Sequence, residues 1–138
     1  METLLKIYCD GGARGNPGPA AAAFVVERRG KVIFKSARFL GKATNNVAEY
    51  SAVLLAMRWL SKFDPKDLSE VRFILDSELV AKQLAGLFKI KNENLRGLYF
   101  SVKEEEKKIP LSISFAAVPR NKNRLADLLV NRTLDENL

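Results

Sequence analysis

The feature that most constrains this chain is Ile7-Tyr8-Cys9-Asp10-Gly11-Gly12-Ala13-Arg14-Gly15-Asn16-Pro17-Gly18-Pro19, an apolar run that ends in a carboxylate and then in a stretch dense in glycine and proline. Leu5, Ile7 and Cys9 alternate with Lys6, Tyr8 and Asp10, which is the period of a β-strand, and the residues that follow forbid a helix directly after it. Asp10 therefore reads as the last residue of a strand. The glycines carry no Cβ, so a ligand backbone can come close to the main chain beside Asp10. Taken alone, the stretch is equally a strand, a solvated Asp and a wide turn. The rest of the chain decides between these readings.

Length and composition predict one globular domain over residues 1–138: 47% of the residues are hydrophobic, enough for a core that folds unaided, and no linker or repeat divides the chain. The longest apolar run, Ala20 to Val26, is too short to span a bilayer, and Met1-Glu2-Thr3 leads into the first strand rather than into a signal sequence. A cytoplasmic protein with no membrane partner is expected. The lone cysteine, Cys9, has no partner for a disulfide and reads as an inert core residue. A formal net charge of +7 favours a polyanionic partner.

In order, strands are predicted near 4–10, 20–28 and 31–40, an antiparallel meander whose second turn is Arg28-Arg29-Gly30-Lys31. Thr44 or Asn45 then caps a helix running to about Lys62. Glu49 has Val53, Ala56 and Leu60 at i+4, i+7 and i+11, so its carboxylate sits on the inward face, where an unpaired charge is costly. A turn is expected at Asp64-Pro65-Lys66-Asp67. Val71 to Asp76 repeats the first pattern, a strand ending in Asp, and Ser77-Glu78 opens a short helix through Leu84. If that strand lies parallel to the first, Asp10 and Asp76 emerge at one carboxyl edge. A loop at 86–92, a helix from Glu93 to Lys108 with a charged outer face, a strand from Leu111 to Ala116 and a basic loop at 118–124 follow. The last helix, Leu125 to Leu134, carries Asp127 near its start with Val130 and Leu134 on the same face.

These residues together resemble a type 1 ribonuclease H nearly end to end. The resemblance rests on Asp10-Gly11-Gly12 with Gly15-Asn16-Pro17-Gly18-Pro19, on Thr44-Asn45-Asn46-Val47-Ala48-Glu49, on Asp76-Ser77, and on Asn123 with Ala126-Asp127. It implies an α/β fold in which a mixed five-stranded sheet, three antiparallel strands then two parallel ones, is flanked by helices. It also implies an endonuclease that hydrolyses the RNA strand of an RNA·DNA hybrid, leaving 5′-phosphate and 3′-hydroxyl ends, and an expected monomer. Phosphodiester hydrolysis must activate water and stabilise a leaving oxyanion, and two Mg²⁺ ions about 4 Å apart can do both. Hard oxygen ligands suit Mg²⁺, with Mn²⁺ as a candidate substitute, and a chain without His has no His-based zinc site. By similarity Asp10 would bridge both ions, Glu49 and Asp76 would complete one, and Asp127 would hold the other.

The resemblance assigns substrate contacts to Gly11, Gly12, Asn16, Thr44, Asn45, Asn46 and Asn123, and Arg14 is a candidate phosphate contact. Two departures from the family pattern stand out. Many members carry a His in the loop before the last Asp, and this chain has none; Arg120, in that loop, is the candidate for an electrostatic role there but cannot shuttle protons. Many also insert a basic, Trp-containing helix, for which the 86–92 link leaves no room. A non-catalytic nucleic-acid-binding module, or a scaffold for a partner protein, is the alternative on the same fold. The concentration of four carboxylates weighs against a pure binder of phosphates.

Overall fold

The computed structural model describes residues 4–63 and 66–137. The segment Met1-Glu2-Thr3 and the Asp64-Pro65 half of the expected turn lie outside the described residues. The sheet is mixed and five-stranded, in the order β3-β2-β1-β4-β5. Its strands are β1 (Leu4–Ala13), β2 (Gly18–Arg28), β3 (Lys31–Ala43), β4 (Glu70–Leu75) and β5 (Ser112–Ala117). Its helices are α1 (Asn45–Leu60), α2 (Glu78–Leu84), α3 (Glu93–Glu106) and α4 (Arg124–Glu136), with a single 3₁₀ turn at Arg120–Lys122 before the last. β1, β2 and β3 pair antiparallel, whereas β1, β4 and β5 pair parallel. This is the architecture expected from the sequence.

Each strand shows its place in the sheet. β1 alternates because Leu5, Ile7 and Cys9 face the main core; Cys9 is 1% exposed, and burial pushes its thiol pKa up, so it is inert there. β2 is apolar from Ala20 to Val26 because both of its faces are covered there. Ala22, Phe24 and Val26 join the core under α1, and Ala21, Ala23 and Val25 join a second cluster with Ala126, Leu129, Val130 and Leu134 of α4. The main core adds Tyr50, Val53 and Met57 from α1 with Val71, Phe73 and Leu75 from β4. Trp59 lies at its rim, stacked between Phe34 and Phe63 at 5.2 and 4.7 Å.

Strand boundaries beside the glycine stretch differ from the sequence reading. β1 continues past Asp10 to Ala13 and β3 continues to Ala43, because Gly11 and Gly12 stay in register with Ala22 and Ala21 and the hairpin closes only at 14–17. The charged stretch at the end of α3 is partly structural. Lys103 donates to the Leu84 carbonyl at 2.6 Å, tying α3 to the end of α2, and its ammonium lies over the Tyr99 and Phe115 rings. None of the helices among the described residues is long and apolar enough to cross a membrane.

Candidate active site

The parallel register brings two carboxylates together. β1 and β4 pair from Leu4↔Glu70 as far as Tyr8↔Ile74, so Asp10 and Asp76 each lie two residues beyond the last pair and emerge level with one another at the carboxyl end of the sheet. Glu49 arrives by a steric route. A Cβ on Gly11 would come within 2.2 Å of the carbonyl carbon and oxygen of Ala48, so glycine there lets the first turn of α1 press onto β1, and the next residue of that turn is Glu49. Asp127 comes from the first turn of α4, lowered onto the small alanine side chains of β2. All four carboxylates line one cleft of about 350 Å³, together with Arg120, Asn45 and Asn131.

The electrostatics follow from burial and crowding. Asp10 is 7% exposed. Its pKa is pushed up to about 8, first by burial and then by the charges of Asp76, Asp127 and Glu49, against a hydrogen bond from the Gly11 N–H. The Glu49 pKa is pushed up to about 7 by burial and by Asp76, and is opposed by a hydrogen bond from the Ser77 side chain and by the Arg120 charge. One oxygen each of Glu49 (Oε2) and Asp76 (Oδ2) is buried with no hydrogen-bond partner. Buried carboxylate oxygens left unpaired are costly, and a hard cation is the partner that would satisfy them. Among the described residues, no three acidic or other ligating side chains already form a closed set around one point.

The glycine stretch and α1 are laced together. Asn45 Oδ1 accepts from the Ala13 N–H at 2.8 Å, and Asn16 Oδ1 accepts from the Asn45 N–H at 3.0 Å. Thr44, not Asn45, is the N-cap of α1, its hydroxyl accepting from the Val47 N–H. Of the expected substrate contacts, Gly11, Gly12, Arg14 and Asn45 line the carboxylate cleft, whereas Asn16 and Thr44 stand beside it at the start of α1. Asn46, half-buried in the first turn of α1, does not line it. Arg14 reaches α4, where it meets Asp135 at 2.7 Å and the Asn131 carbonyl at 3.4 Å.

The structure seats Asn123 away from the carboxylate cleft. It was expected on the substrate side, but it is 1% exposed and donates from Nδ2 to the Cys9 carbonyl at 2.8 Å. Two residues at the site were missed. Ser77 caps α2 by accepting from the Val80 N–H and also bonds Glu49; its place between a strand end and a helix start was a readable capping signal. Asn131 donates to the Asp127 carbonyl at 3.0 Å from one turn further along α4, a spacing that the sequence also displays.

A family model described as reverse transcriptase-like matches residues 8–133. The chain is 37% identical to LC11 ribonuclease H1, solved in complex with an RNA/DNA hybrid, with a TM-score of 0.91 over 96% of this chain and 98% of that one. Ribonuclease HI of Halobacterium salinarum is 38% identical over 94% of this chain. The bifunctional protein Rv2228c of Mycobacterium tuberculosis is 36% identical over the same share. Fold, site and matches define a ribonuclease H-like domain. The chain belongs to the type 1 ribonuclease H family. It spans 35% of the length of the mycobacterial relative and 63% of the halobacterial one.

Proposed function

We propose that this chain is a metal-dependent endonuclease that hydrolyses the RNA strand of RNA·DNA hybrids and leaves 5′-phosphate and 3′-hydroxyl ends. The observation that carries the reading is the convergence of Asp10, Glu49, Asp76 and Asp127 from separate elements into one cleft, with two buried oxygens unpartnered. The donor set is all oxygen, which fits Mg²⁺, or Mn²⁺ in its place. Asp10 would serve two ions, Glu49 and Asp76 one of them, and Asp127 the other. Bound ions would supply an activated water and charge stabilisation for the leaving oxygen.

The remaining groups bind and orient. The Gly11–Gly12 backbone and Asn45 face the cleft where a sugar-phosphate chain would lie, and the 2′-hydroxyl is the group that distinguishes the RNA strand. Asn16 holds Asn45 in place. Arg120 lies in the cleft with its charge acting on Glu49, so its role is to offset negative charge as the phosphate enters. The net charge of +7 supports a grip on polyanions that weakens with salt. On this reading the domain acts as a monomer.

The test is incubation of a hybrid labelled on its RNA strand in Mg²⁺ and in chelator, beside single-stranded RNA and duplex DNA of the same sequence. Mg²⁺-dependent cutting confined to the RNA of the hybrid is the expected result. Binding of the hybrid without cutting in either Mg²⁺ or Mn²⁺ would instead support the non-catalytic module.

A further inference from the structure

Only Asp10, Gln83 and Asn123 are buried polar side chains among the described residues. Gln83 is accounted for by the Tyr50 hydroxyl, which donates to it at 2.7 Å, and by its own bond to the Lys89 carbonyl. Asn123 is not so easily explained. It stands at the N-cap of α4, where an Asn side chain ordinarily accepts from an amide of the first turn, yet it makes no capping bond and its Oδ1 is buried without a partner. The carboxamide has been committed elsewhere.

It reaches a residue 114 positions away, the Cys9 carbonyl, at 2.8 Å. That carbonyl belongs to the peptide bond that joins Cys9 to Asp10, and it lies just past Tyr8, where pairing with β4 stops. Past Tyr8 β1 stays paired with β2, and on its other side, where β4 has parted from it, the Asn123 side chain takes the Cys9 carbonyl. The main chain of the same residue joins two further parts of the site: its N–H donates to the Arg120 carbonyl at 3.0 Å, and its carbonyl accepts from the Asp127 N–H at 3.1 Å.

We propose that Asn123 is a positioning residue, a buried clasp that fixes Asp127 and Arg120 relative to Asp10 by holding the peptide group before Asp10 against the start of α4. It touches neither substrate nor the reacting atoms. The inference rests on the proposed function only in taking these carboxylates to bind divalent cations. Groups that orient metal ligands from behind typically change affinity about 10–100-fold when removed.

The experiment is calorimetric titration of Mg²⁺ into the protein without nucleic acid, for wild type, Asn123→Ala, Asn123→Ser and Leu129→Ala. Leu129 packs α4 into the small cluster but does not line the carboxylate cleft, so Leu129→Ala loosens the same helix without opening the clasp. Asn123→Ala is expected to lose Mg²⁺ affinity about tenfold or more, whereas Leu129→Ala, with a melting temperature lowered to a similar degree, stays within about twofold of wild type. Asn123→Ser, whose hydroxyl can still donate toward Cys9 directly or through water, recovers part of the loss. On hybrid, Asn123→Ala lowers kcat and leaves KM nearly unchanged. Wild-type affinity in Asn123→Ala, or an equal loss in Leu129→Ala, overturns the assignment. If neither Asn123 variant folds, the residue belongs to folding and the positioning role fails. A wild type that binds Mg²⁺ but cuts no hybrid sinks the proposed function and leaves this comparison intact.

Discussion

The face of the sheet under α1 buries Leu5, Ile7, Phe24, Val71 and Phe73 with no charged side chain among its buried members, whereas the face under α4 is built on Ala21, Ala23 and Val25, next to the buried pair Asp10 and Asn123. The difference teaches where each task lies. Large side chains packed on one face supply most of the area removed from water, at roughly 25 cal/mol per Å². The alanine face contributes less but lets α4 come down close enough to bring Asp127 to β1. The cleft at the end of the sheet carries the electrostatic cost, since burial and the nearby carboxylates hold Asp10, on this face, at about 8 and Glu49, from α1, at about 7. A well-packed face can support a neighbour that is poorly satisfied until it meets its ligands.

The sharpest way to break this comparison is Asp10→Asn, which removes charge and keeps shape. Cleavage should fall by roughly a thousandfold or more while the hybrid still binds. Stability should move the other way. The Asp10 pKa is raised in the folded state, so the contribution of its protonated form is complete below the ordinary value of 3.8 and is lost as the pH climbs through about 8. Asp10→Asn should therefore leave the metal-free protein unchanged near pH 4 and stabilise it by about 1–3 kcal/mol at pH 9, read from urea melts. Equal stability at both pH values would mean that the carboxylates do not strain the α4 face.

On the opposite face, Phe73→Ala should cost about 3–5 kcal/mol by opening a cavity in the main core, where Phe73 is fully buried against Phe115 at 5.4 Å between ring centroids. The fraction that remains folded should cleave at close to the wild-type rate. A kcat loss matching that of a site variant, measured where the protein is fully native, would show that the two faces are not separable.

The smallest effect sharpens the site itself. Arg120→Ala should lower kcat by about 10–100-fold at saturating Mg²⁺ with little change in KM, as expected for a guanidinium that offsets charge developing in the reaction. A rise in KM with kcat unchanged would instead assign Arg120 to general phosphate binding. It would then leave the carboxylates to work without a substitute for the family histidine.

Much of this arrangement was legible in the sequence because local patterns carried it. Strand alternation located Asp10 and Asp76, and helical spacing put Glu49 beside Val53 and Asp127 beside Val130, so the four carboxylates could be named before the fold was known. What could not be read was set by partners distant in the chain. Gly11 and Gly12 look like loop residues, yet they continue β1, and Gly11 is required by the approach of Ala48, which no local pattern reveals. Asn123 looks like a cap or a substrate contact. Its bond to Cys9 depends on the gap that opens where β1 and β4 part, a property of the assembled sheet.

The central claim is that Asp10 and Glu49 are held partly protonated until divalent ions bind in the cleft. It is tested most directly by titrating Mg²⁺ into the wild-type protein at pH 7 in two buffers of different ionisation enthalpy, which counts the protons released on binding. With Asp10 at about 8 and Glu49 at about 7, the account predicts release of between about one and two protons per protein molecule, falling toward zero when the titration is repeated at pH 9. Binding with no proton release at pH 7, or the same release at pH 9, would contradict it.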